Sequence, residues 1–273
     1  MAKIEIFMDE TFSRFGKWAL IAGAAEGIGA AFSTVLAGVG MNLIMADINS
    51  RELNFIADEL EKSYPIKTIR IHQDLSEKNA GQDCLDKVRE IEIRLMVYVP
   101  AFSCVGKFSE YTSEEIDRFL SLNVKTPVHL VNSFLNRKPK DQPCGIILMS
   151  SLAGIVGPAL VAPYAGTKSF TLTFSESLFH ELKDEKVEIL ACCAGPTSTP
   201  TYWKSKPVNR NKFIDVMPPL DVAKYAIKML GKKPSCIPGW KNRLSYFFLT
   251  RILPRRMAGR IVSNSMKKMY PDL

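Results

Sequence analysis

Short apolar runs alternate with longer amphipathic stretches along most of this 273-residue chain. The apolar runs are bounded by glycine, proline or polar residues, and they are too short for ordinary helices, which is typical of buried β-strands. We therefore predict seven strands, over residues 17–23, 41–47, 67–73, 93–99, 144–151, 187–195 and 235–238.

The stretches between these runs have the apolar spacing of amphipathic helices. In residues 51–63, for example, Leu53, Ala57 and Leu60 would share one face. Ser113 is the expected N-cap of a later helix, because Glu114 and Glu115 follow it. The predicted helices cover residues 27–40, 51–63, 77–91, 113–136, 163–183 and 220–230.

Regular alternation of strands and helices predicts an α/β fold in a single domain. The expected architecture is a doubly wound parallel sheet between two helical layers, that is, three α-β-α layers. Crossovers in such a sheet are right-handed, and ligands bind in a crevice at the carboxyl ends of the strands.

Charge changes this picture only near the C-terminus. The chain is 47% hydrophobic and 23% charged, with a net charge of +8. Residues 222–271 hold twelve of the 36 Lys and Arg and no Asp or Glu, which leaves 24 basic and 28 acidic residues elsewhere. Because the basic excess is not interleaved with aromatic residues on the main fold, we expect no nucleic-acid partner.

The six cysteines are scattered without the spacing of a metal site. We therefore expect no bound metal and a reducing, cytoplasmic location. The first eighteen residues do not resemble a signal peptide, and no apolar run has the length of a membrane span.

Three glycines lie between the first predicted strand and the first predicted helix, in the sequence AGAAEGIG. They are Gly23, Gly27 and Gly29. Such a turn lets backbone amides approach a pyrophosphate, which the positive end of the helix also attracts. The spacing equally fits a tight turn without a ligand, but its place after the first strand favours a dinucleotide site.

An acidic residue, Asp47, ends the second predicted strand. A carboxylate there can accept hydrogen bonds from both hydroxyls of an adenosine ribose. Asp47 and nearby Glu26 would each repel the 2′-phosphate of NADP by about 3 kcal/mol, so we expect NAD in preference to NADP. Two alternatives stay open: Asp47 caps the following turn, or Arg51 binds phosphate. Asp74, after the third strand, either caps the next helix or holds the adenine.

Tyr164 and Lys168 are one helical turn apart after Pro163, so that their side chains share a helix face. A neighbouring ammonium favours the phenolate, which makes a tyrosine a usable proton donor and acceptor. This motif alone is common, and it also fits a surface tyrosine beside a solvated lysine.

Taken together, these features resemble the short-chain dehydrogenases/reductases over about residues 15–238. The opening sequence FGKWALIAGAAEGIG looks most like the branch of 17β-hydroxysteroid dehydrogenases and very-long-chain 3-ketoacyl reductases. The resemblance implies a Rossmann-like fold, hydride transfer between a nicotinamide and an alcohol or ketone, and a homodimer or homotetramer. The matching features, in family order, are the glycine turn, Asp47, Asp74-Leu75, Asn123, Ser151, Tyr164, Lys168 and the segment GPTSTP (195–200).

The resemblance also implies catalytic roles. Tyr164 would be the general acid and base, and Lys168 would lower its pKa and hold the nicotinamide ribose. Ser151 would donate a hydrogen bond to the developing oxyanion. Asn123 would hold a water that relays protons to Lys168, and Thr199 would bind the carboxamide. The implied cofactor-binding residues are Gly23, Ala25, Glu26, Gly27, Ile28, Gly29, Asp47, Asp74, Leu75, Tyr164, Lys168, Thr197 and Thr199.

Four residues in three segments depart from the family pattern. Ala22 replaces a threonine and removes a hydrogen bond from the turn. Val99 and Pro100 replace residues of N-N-A-G and remove a side-chain amide and a backbone donor. Ala194 replaces a proline. An alternative function is therefore a catalytically weakened scaffold or sensor of the same fold. A serine hydrolase using Ser151 is a third hypothesis, but it lacks G-x-S-x-G and a suitably placed histidine.

The expected substrate pocket is mostly apolar or aromatic. It fits a hydroxysteroid or a fatty-acyl chain, and hence lipid metabolism, better than a sugar. Lys204, Lys206 and Arg210 leave an acidic substrate or coenzyme A open. The loop of residues 196–219 would close over the substrate. The expected pocket residues are Leu152, Val161, Tyr202, Trp203, Phe213 and Met217.

After the main domain of residues 1–238, residues 239–273 form a basic, amphipathic extension, which Pro254 interrupts. Two interpretations stay open. The extension packs over the substrate loop or a neighbouring subunit, or residues 239–270 dock on anionic lipid and admit an apolar substrate. The expected apolar face comprises Leu244, Phe247, Phe248, Ile252, Leu253, Met257, Ile261 and Val262.

Overall fold

The computed structural model describes residues 13–208 and 216–273. Within these residues, all seven predicted strands form one parallel sheet in the order β3-β2-β1-β4-β5-β6-β7. The strands are β1 (Trp18–Ala22), β2 (Asn42–Asp47), β3 (Thr68–His72), β4 (Leu95–Tyr98), β5 (Cys144–Ser151), β6 (Val187–Ala194) and β7 (Ser235–Cys236).

Helices cover both faces of the sheet, which confirms the doubly wound α/β fold. Successive strand residues point to opposite faces. Leu20 therefore enters the apolar core under one helical layer, whereas Ala19 and Ile21 enter the core under the other. The helices are α1 (Gly27–Gly38), α2 (Ser50–Ser63), α3 (Ala80–Asp86), α4 (Ser113–Leu120), α5 (Thr126–Arg137), α6 (Ala162–Glu181), α7 (Pro200–Lys204), α8 (Pro219–Met229), α9 (Trp240–Phe247) and α10 (Arg255–Met269).

The helix predicted over residues 113–136 differs from the observed structure in two ways. Its N-cap is Thr112 rather than Ser113, because the Thr112 side chain and Glu115 form a reciprocal capping box. A π turn over Ser121–Lys125 also divides it into α4 and α5. Such turns inside helices often mark functional positions, and this one contains Asn123.

The C-terminal helices follow the last strand and break at Pro254, as predicted. The predicted single apolar face is wrong, because the apolar residues divide between two sides. Leu253 and Val262 pack inward on a third apolar cluster with Leu152 and Val156. Phe247 and the remaining residues of the predicted face are exposed. The inward side is also completed by Tyr246 and Ala258, which sequence spacing did not single out.

No helix within the described residues combines the length and apolar character that crossing a bilayer requires. All six cysteines are free thiols, and Cys192 and Cys193 lie in the buried strand β6, as their apolar surroundings predict.

Candidate active site

The predicted glycine turn lies between β1 and α1, at the carboxyl edge of the sheet. Backbone amides of Gly23 and Ala24 donate to the Ala46 carbonyl of β2, at 2.8 and 3.2 Å. Gly23 and Gly27 have φ angles of +77° and +55°, which side chains rarely adopt. A methyl group at Gly29 would overlap the Gly23 carbonyl oxygen. The turn therefore requires glycine at these positions.

Asp47 holds this turn in place from the end of β2. One carboxylate oxygen accepts a hydrogen bond from the Ala25 amide at 2.9 Å, and the other accepts from the Asn49 amide at 3.0 Å. The Asn49 side chain also donates to Glu26 at 3.2 Å, which fixes the two acids near each other. Each carboxylate oxygen keeps a lone pair for a further donor. Asn49 was not predicted, because no motif identifies it.

The residues that depart from the family pattern pack without strain. The Asp47 bond to Ala25 supports the turn where Ala22 supplies no hydroxyl. A Cβ atom at Gly23 would lie 2.8 Å from the Pro100 ring, so Pro100 forms one wall of the turn. The Val99 amide donates to the Ala22 carbonyl at 3.1 Å, and its side chain packs on the core. The cradle therefore fits a dinucleotide pyrophosphate at the start of α1.

Ser151 and Tyr164 lie side by side at the end of β5 and the start of α6. Ser151 lies near enough to Tyr164 to lower the pKa of its phenol. The Ser150 hydroxyl, one residue earlier, donates to the Lys168 carbonyl at 2.7 Å. A Cβ atom at Gly154 would lie 2.6 Å from the Lys168 carbonyl carbon. These close contacts fix α6 against β5 and hold the Ser151 and Tyr164 hydroxyls together.

Lys168 is buried, and its ammonium donates to the Met149 carbonyl at 2.7 Å. The ammonium nitrogen lies 5.8 Å from the centre of the Tyr164 ring. Burial lowers the pKa of Lys168 to about 8. Burial also raises the pKa of Tyr164, although the Ser151 hydrogen bond lowers it in part. Lys168 is not among the causes of this shift, and its predicted lowering of the Tyr164 pKa stays a prediction.

Burying Lys168 should cost stability at neutral pH. The unfolded chain keeps this proton to about pH 10.5 and the folded chain to about pH 8. Between these values the unfolded state binds more protons, so the contribution of Lys168 to stability rises with pH. Lys168→Met should therefore raise the free energy of unfolding at pH 7, by up to about 3 kcal/mol. Urea unfolding should show this advantage shrinking towards pH 10, and an equal advantage at both pH values would contradict the assignment.

Asn123 is buried in the π turn and joins two parts of the site. Its oxygen accepts from the Phe102 amide at 2.8 Å, and its nitrogen donates to the Phe102 carbonyl and to the Thr167 hydroxyl, both at 3.0 Å. These bonds use both donors of the amide and leave one lone pair on its oxygen. Asn123 therefore ties the loop after β4 to α6. Its predicted water relay stays a proposal.

Asp74 holds the turn after β3 and does not cap the next helix, whose N-cap is Asn79, so that expected role is wrong and the adenine contact stays a prediction. Its carboxylate accepts from the amide and hydroxyl of Ser76, at 2.8 and 2.6 Å. Partial burial raises the pKa of Asp74, but these hydrogen bonds outweigh it and leave the pKa below its ordinary value. The adjacent Leu75 is buried, and its carbonyl accepts from Thr126 at 2.7 Å.

The segment after β6 lies against the glycine turn. Thr199 caps the short helix α7 by accepting from the Tyr202 amide at 3.2 Å. A Cβ atom at Gly27 would lie 2.9 Å from the Thr199 methyl group. Thr197 is buried and pairs with Met217 as an isolated β-bridge. Thr197, Thr199 and the glycine turn therefore lie at the same edge of the sheet.

The expected pocket residues occupy different environments. Leu152 and Val161 are buried, whereas Trp203 is exposed and donates to the Ser198 hydroxyl at 3.0 Å. The Tyr202 and Trp203 rings meet edge to face, with centroids 5.1 Å apart. Phe213 lies outside the described residues.

The C-terminal helix α9 packs against the segments that follow β5 and β6, which the sequence did not predict. The Tyr246 hydroxyl donates to the carbonyl of Leu152, the residue after Ser151, at 2.6 Å. Asn242 is buried, and a Cβ atom at Gly195 would lie 2.8 Å from its amide nitrogen. Helix α9 therefore supports the segments that follow β5 and β6.

Alternative chemistries find less support in the described part of the chain. No group of three potential metal ligands occurs there. His72 contacts the Ile48 carbonyl and His180 packs on Phe179, so neither is positioned as a base for Ser151.

Comparison with known proteins identifies the family of this chain. The family model of the short chain dehydrogenases matches residues 17–209. The chain belongs to the short-chain dehydrogenase family. It is 26% identical over 230 residues to a 7β-hydroxysteroid dehydrogenase of Clostridium sardiniense, covering 84% of this chain and 88% of that protein. It is 27% identical over 246 residues to a very-long-chain 3-oxoacyl-CoA reductase-like protein of Arabidopsis thaliana, covering 86% of this chain and 77% of that protein.

Solved structures share the short-chain dehydrogenase fold. A structure from a study of 7β-hydroxysteroid dehydrogenase stereoselectivity has a TM-score of 0.83 and 24% identity, covering 92% of this chain and 98% of that one. The chain therefore has the fold of this family of oxidoreductases, which uses NAD or NADP. Two other similar structures, at TM-scores of 0.72 and 0.72, hold NADPH and NADH, so the fold does not fix the choice of cofactor.

Proposed function

We propose that this short-chain dehydrogenase transfers a hydride between NAD and an apolar secondary alcohol or ketone. The proximity of the Ser151 and Tyr164 side chains carries the proposal, because one substrate oxygen can meet two neighbouring hydroxyls. The dinucleotide cradle and Lys168 lie at the same edge of the sheet. Absence of turnover by the unaltered protein with every alcohol and ketone tested would argue instead for a scaffold or sensor.

In ketone reduction, Tyr164 gives its proton to the substrate oxygen and Ser151 donates a hydrogen bond to the same atom. A bound nicotinamide supplies the hydride. Because burial raises the pKa of Tyr164, its phenol is protonated at neutral pH, which is the form that reduction requires. Alcohol oxidation requires the phenol to accept a proton, so oxidation should become faster as the pH rises.

Lys168 and Asn123 position the reacting groups. The hydroxyl of Thr167, which Asn123 contacts, immediately precedes Lys168 on α6. The lowered pKa of Lys168 makes it able to exchange a proton near neutral pH. We propose that Lys168 holds the nicotinamide ribose and that a water at the Asn123 oxygen supplies protons to it.

The proposed substrate is apolar and is hydroxysteroid-like or 3-ketoacyl-like. Buried Leu152 and Val161, partly buried Met217 and the paired rings of Tyr202 and Trp203 support an apolar pocket. The relatives include enzymes named for both substrate classes, which supports the same range. Parallel assays with ketosteroids, 3-ketoacyl thioesters and simple ketones would separate these classes.

The proposed preference for NAD rests on two acids. Asn49 ties Asp47 and Glu26 together, so both negative charges lie beside the turn where a 2′-phosphate would enter. Asp47→Ser with Ile48→Arg should therefore narrow or invert the preference, because it removes an anion and adds a cation. Fluorescence titration with NADH and NADPH measures both affinities.

The cofactor titration also needs the unaltered protein and a control variant with matched substitutions. The control Asp58→Ser with Phe55→Arg makes the same kinds of change on exposed positions of α2 and should leave the NADH/NADPH ratio unchanged. Tighter binding of NADPH than of NADH to the unaltered protein would refute the assignment.

A homodimer or homotetramer and a cytoplasmic location are further parts of the proposal. The helices after β4 and β5 carry exposed apolar residues, including Leu120 at 44% exposure and Phe170 at 40%, which suit a subunit contact. Phe170 stacks on Phe174 of the same helix, which presents a flat aromatic surface. Sedimentation velocity of the unaltered protein and of Phe170→Ser would test the proposed oligomer.

A further inference from the structure

The outward side of the C-terminal helices is apolar. The described residues hold sixteen exposed large apolar side chains, and seven of them fall within residues 240–261, with exposures of 47–63%. Exposed apolar residues normally occur singly, so this concentration indicates a contact surface. We call these seven residues the tail surface: Trp240, Leu244, Phe247, Phe248, Ile252, Met257 and Ile261.

The tail surface is accompanied by cations. Four exposed arginines lie in the same segment of the sequence and take part in none of the ion pairs between described residues. No Asp or Glu occurs between residues 222 and 271 to neutralise them. The four are Arg251, Arg255, Arg256 and Arg260.

Helical geometry separates the two sides of α10. At about 100° per residue, Met257 and Ile261 lie together with Arg260 beside them. Ala258 and Val262 are turned away and pack on the third apolar cluster. The inward side of α10 is therefore used by the fold, whereas its apolar and cationic outward side is not.

We propose that the tail surface docks on a membrane that contains anionic phospholipid. Aromatic and aliphatic side chains would enter the boundary between headgroups and acyl chains, while the arginines meet the phosphates. A second copy of the chain fits less well. A two-fold contact would set the same unneutralised arginines against one another.

The position of the tail surface suits delivery of an apolar substrate from the membrane, an argument that rests on the proposed function. The inward side of the same helices contacts the segments that flank the site. Tyr246 donates to the Leu152 carbonyl, the Ala159 amide donates to the Ser263 hydroxyl at 3.0 Å, and the Ser205 and Tyr270 hydroxyls lie 2.8 Å apart. Docking would therefore hold the substrate entrance near the bilayer, where an apolar substrate is concentrated.

Co-sedimentation with vesicles tests the proposal. The full chain should pellet with phosphatidylglycerol-containing vesicles at low salt, remain in the supernatant with pure phosphatidylcholine vesicles, and be released by high salt. Changing the four arginines to glutamine should lower vesicle affinity at least about tenfold. Phe247→Ser with Phe248→Ser should lower it by a similar factor.

Matched controls separate docking through the tail surface from non-specific effects of net charge or exposed apolar area. Glutamine at Lys62, Lys78, Arg89 and Lys107 removes the same charge from exposed positions of the main domain. Serine at Phe55 and Phe108 removes two exposed rings there. Both controls should pellet like the unaltered protein. A protein that stays in the supernatant at low salt, or controls that lose as much affinity as the tail variants, would overturn the proposal.

Two further measurements distinguish other causes. Tyr164→Phe should pellet like the unaltered protein, so that loss of the proposed catalysis does not affect this test. If the Phe247 and Phe248 changes dissociate an oligomer in sedimentation velocity but leave vesicle binding intact, the tail surface is a subunit contact and the membrane proposal fails.

Discussion

Replacing Tyr164 with phenylalanine is expected to lower turnover by at least about a hundredfold, because the variant loses the proton donor of the reaction. The phenyl ring still fits the space, so cofactor affinity should change little. The hydrogen bond from the Ala153 amide to the Ser151 hydroxyl, at 3.2 Å, does not involve Tyr164 and should be kept. Steady-state kinetics with NADH and an accepted ketone, together with NADH titration, measure both quantities.

Tyr64→Phe is the control for this change. Tyr64 caps the end of α2 before β3, at the opposite edge of the sheet from the site, so its variant should keep full turnover. Equal turnover of Tyr164→Phe and the unaltered protein would remove Tyr164 from the mechanism.

Placing alanine at Gly29 is expected to abolish measurable NADH binding, or to lower it at least about tenfold. The added methyl group would overlap the Gly23 carbonyl oxygen, so the turn between β1 and α1 must open. Overpacking of this kind typically costs 1–3 kcal/mol or more, which should also appear in thermal unfolding. The backbone amides that face the pyrophosphate would move with the turn.

Gly166→Ala is the matched change. Gly166 lies in α6, and a Cβ atom there meets nothing within 4 Å, so alanine should leave NADH binding unchanged and favour the helix slightly. Normal NADH affinity in Gly29→Ala would show that this turn does not hold the cofactor.

The strands were predictable because a strand buried on both faces leaves a continuous apolar run in the sequence. Residues 144–151, for example, form β5 with the predicted bounds. The edge strand β7 is only two residues long, and its weaker signal still marked its position. Helix interiors were harder, since no sequence pattern marks the π turn at Asn123, whose side chain bonds to Phe102 and Thr167, distant in sequence.

The site was predictable where a residue type is required by local chemistry. Gly23, Asp47, Ser151 and Tyr164 have such requirements, and the sheet brings their segments to one edge. The degree of burial was not predictable, and neither was its effect on the pKa values of Tyr164 and Lys168. The support from Asn49 and Tyr246 was also missed, because single hydrogen bonds over long sequence separations leave no pattern.

The two sides of the C-terminal helices illustrate the same limit. Their composition correctly predicted amphipathic, basic helices with a break at Pro254. Composition could not tell which apolar residues pack and which face outward. The inward side includes Asn242 and Tyr246, which are polar by type yet buried, whereas Phe247 and Phe248 are exposed.

Transfer of deuterium from NADH labelled at the nicotinamide C4 position tests the central claim most directly. We expect mass spectrometry to find one deuterium on the carbinol carbon of the alcohol formed from an apolar ketone such as a ketosteroid. We also expect Tyr164→Phe to form this product at least about a hundredfold more slowly. Absence of labelled alcohol from every ketone and 3-ketoacyl thioester tested, with either labelled cofactor, would contradict the account.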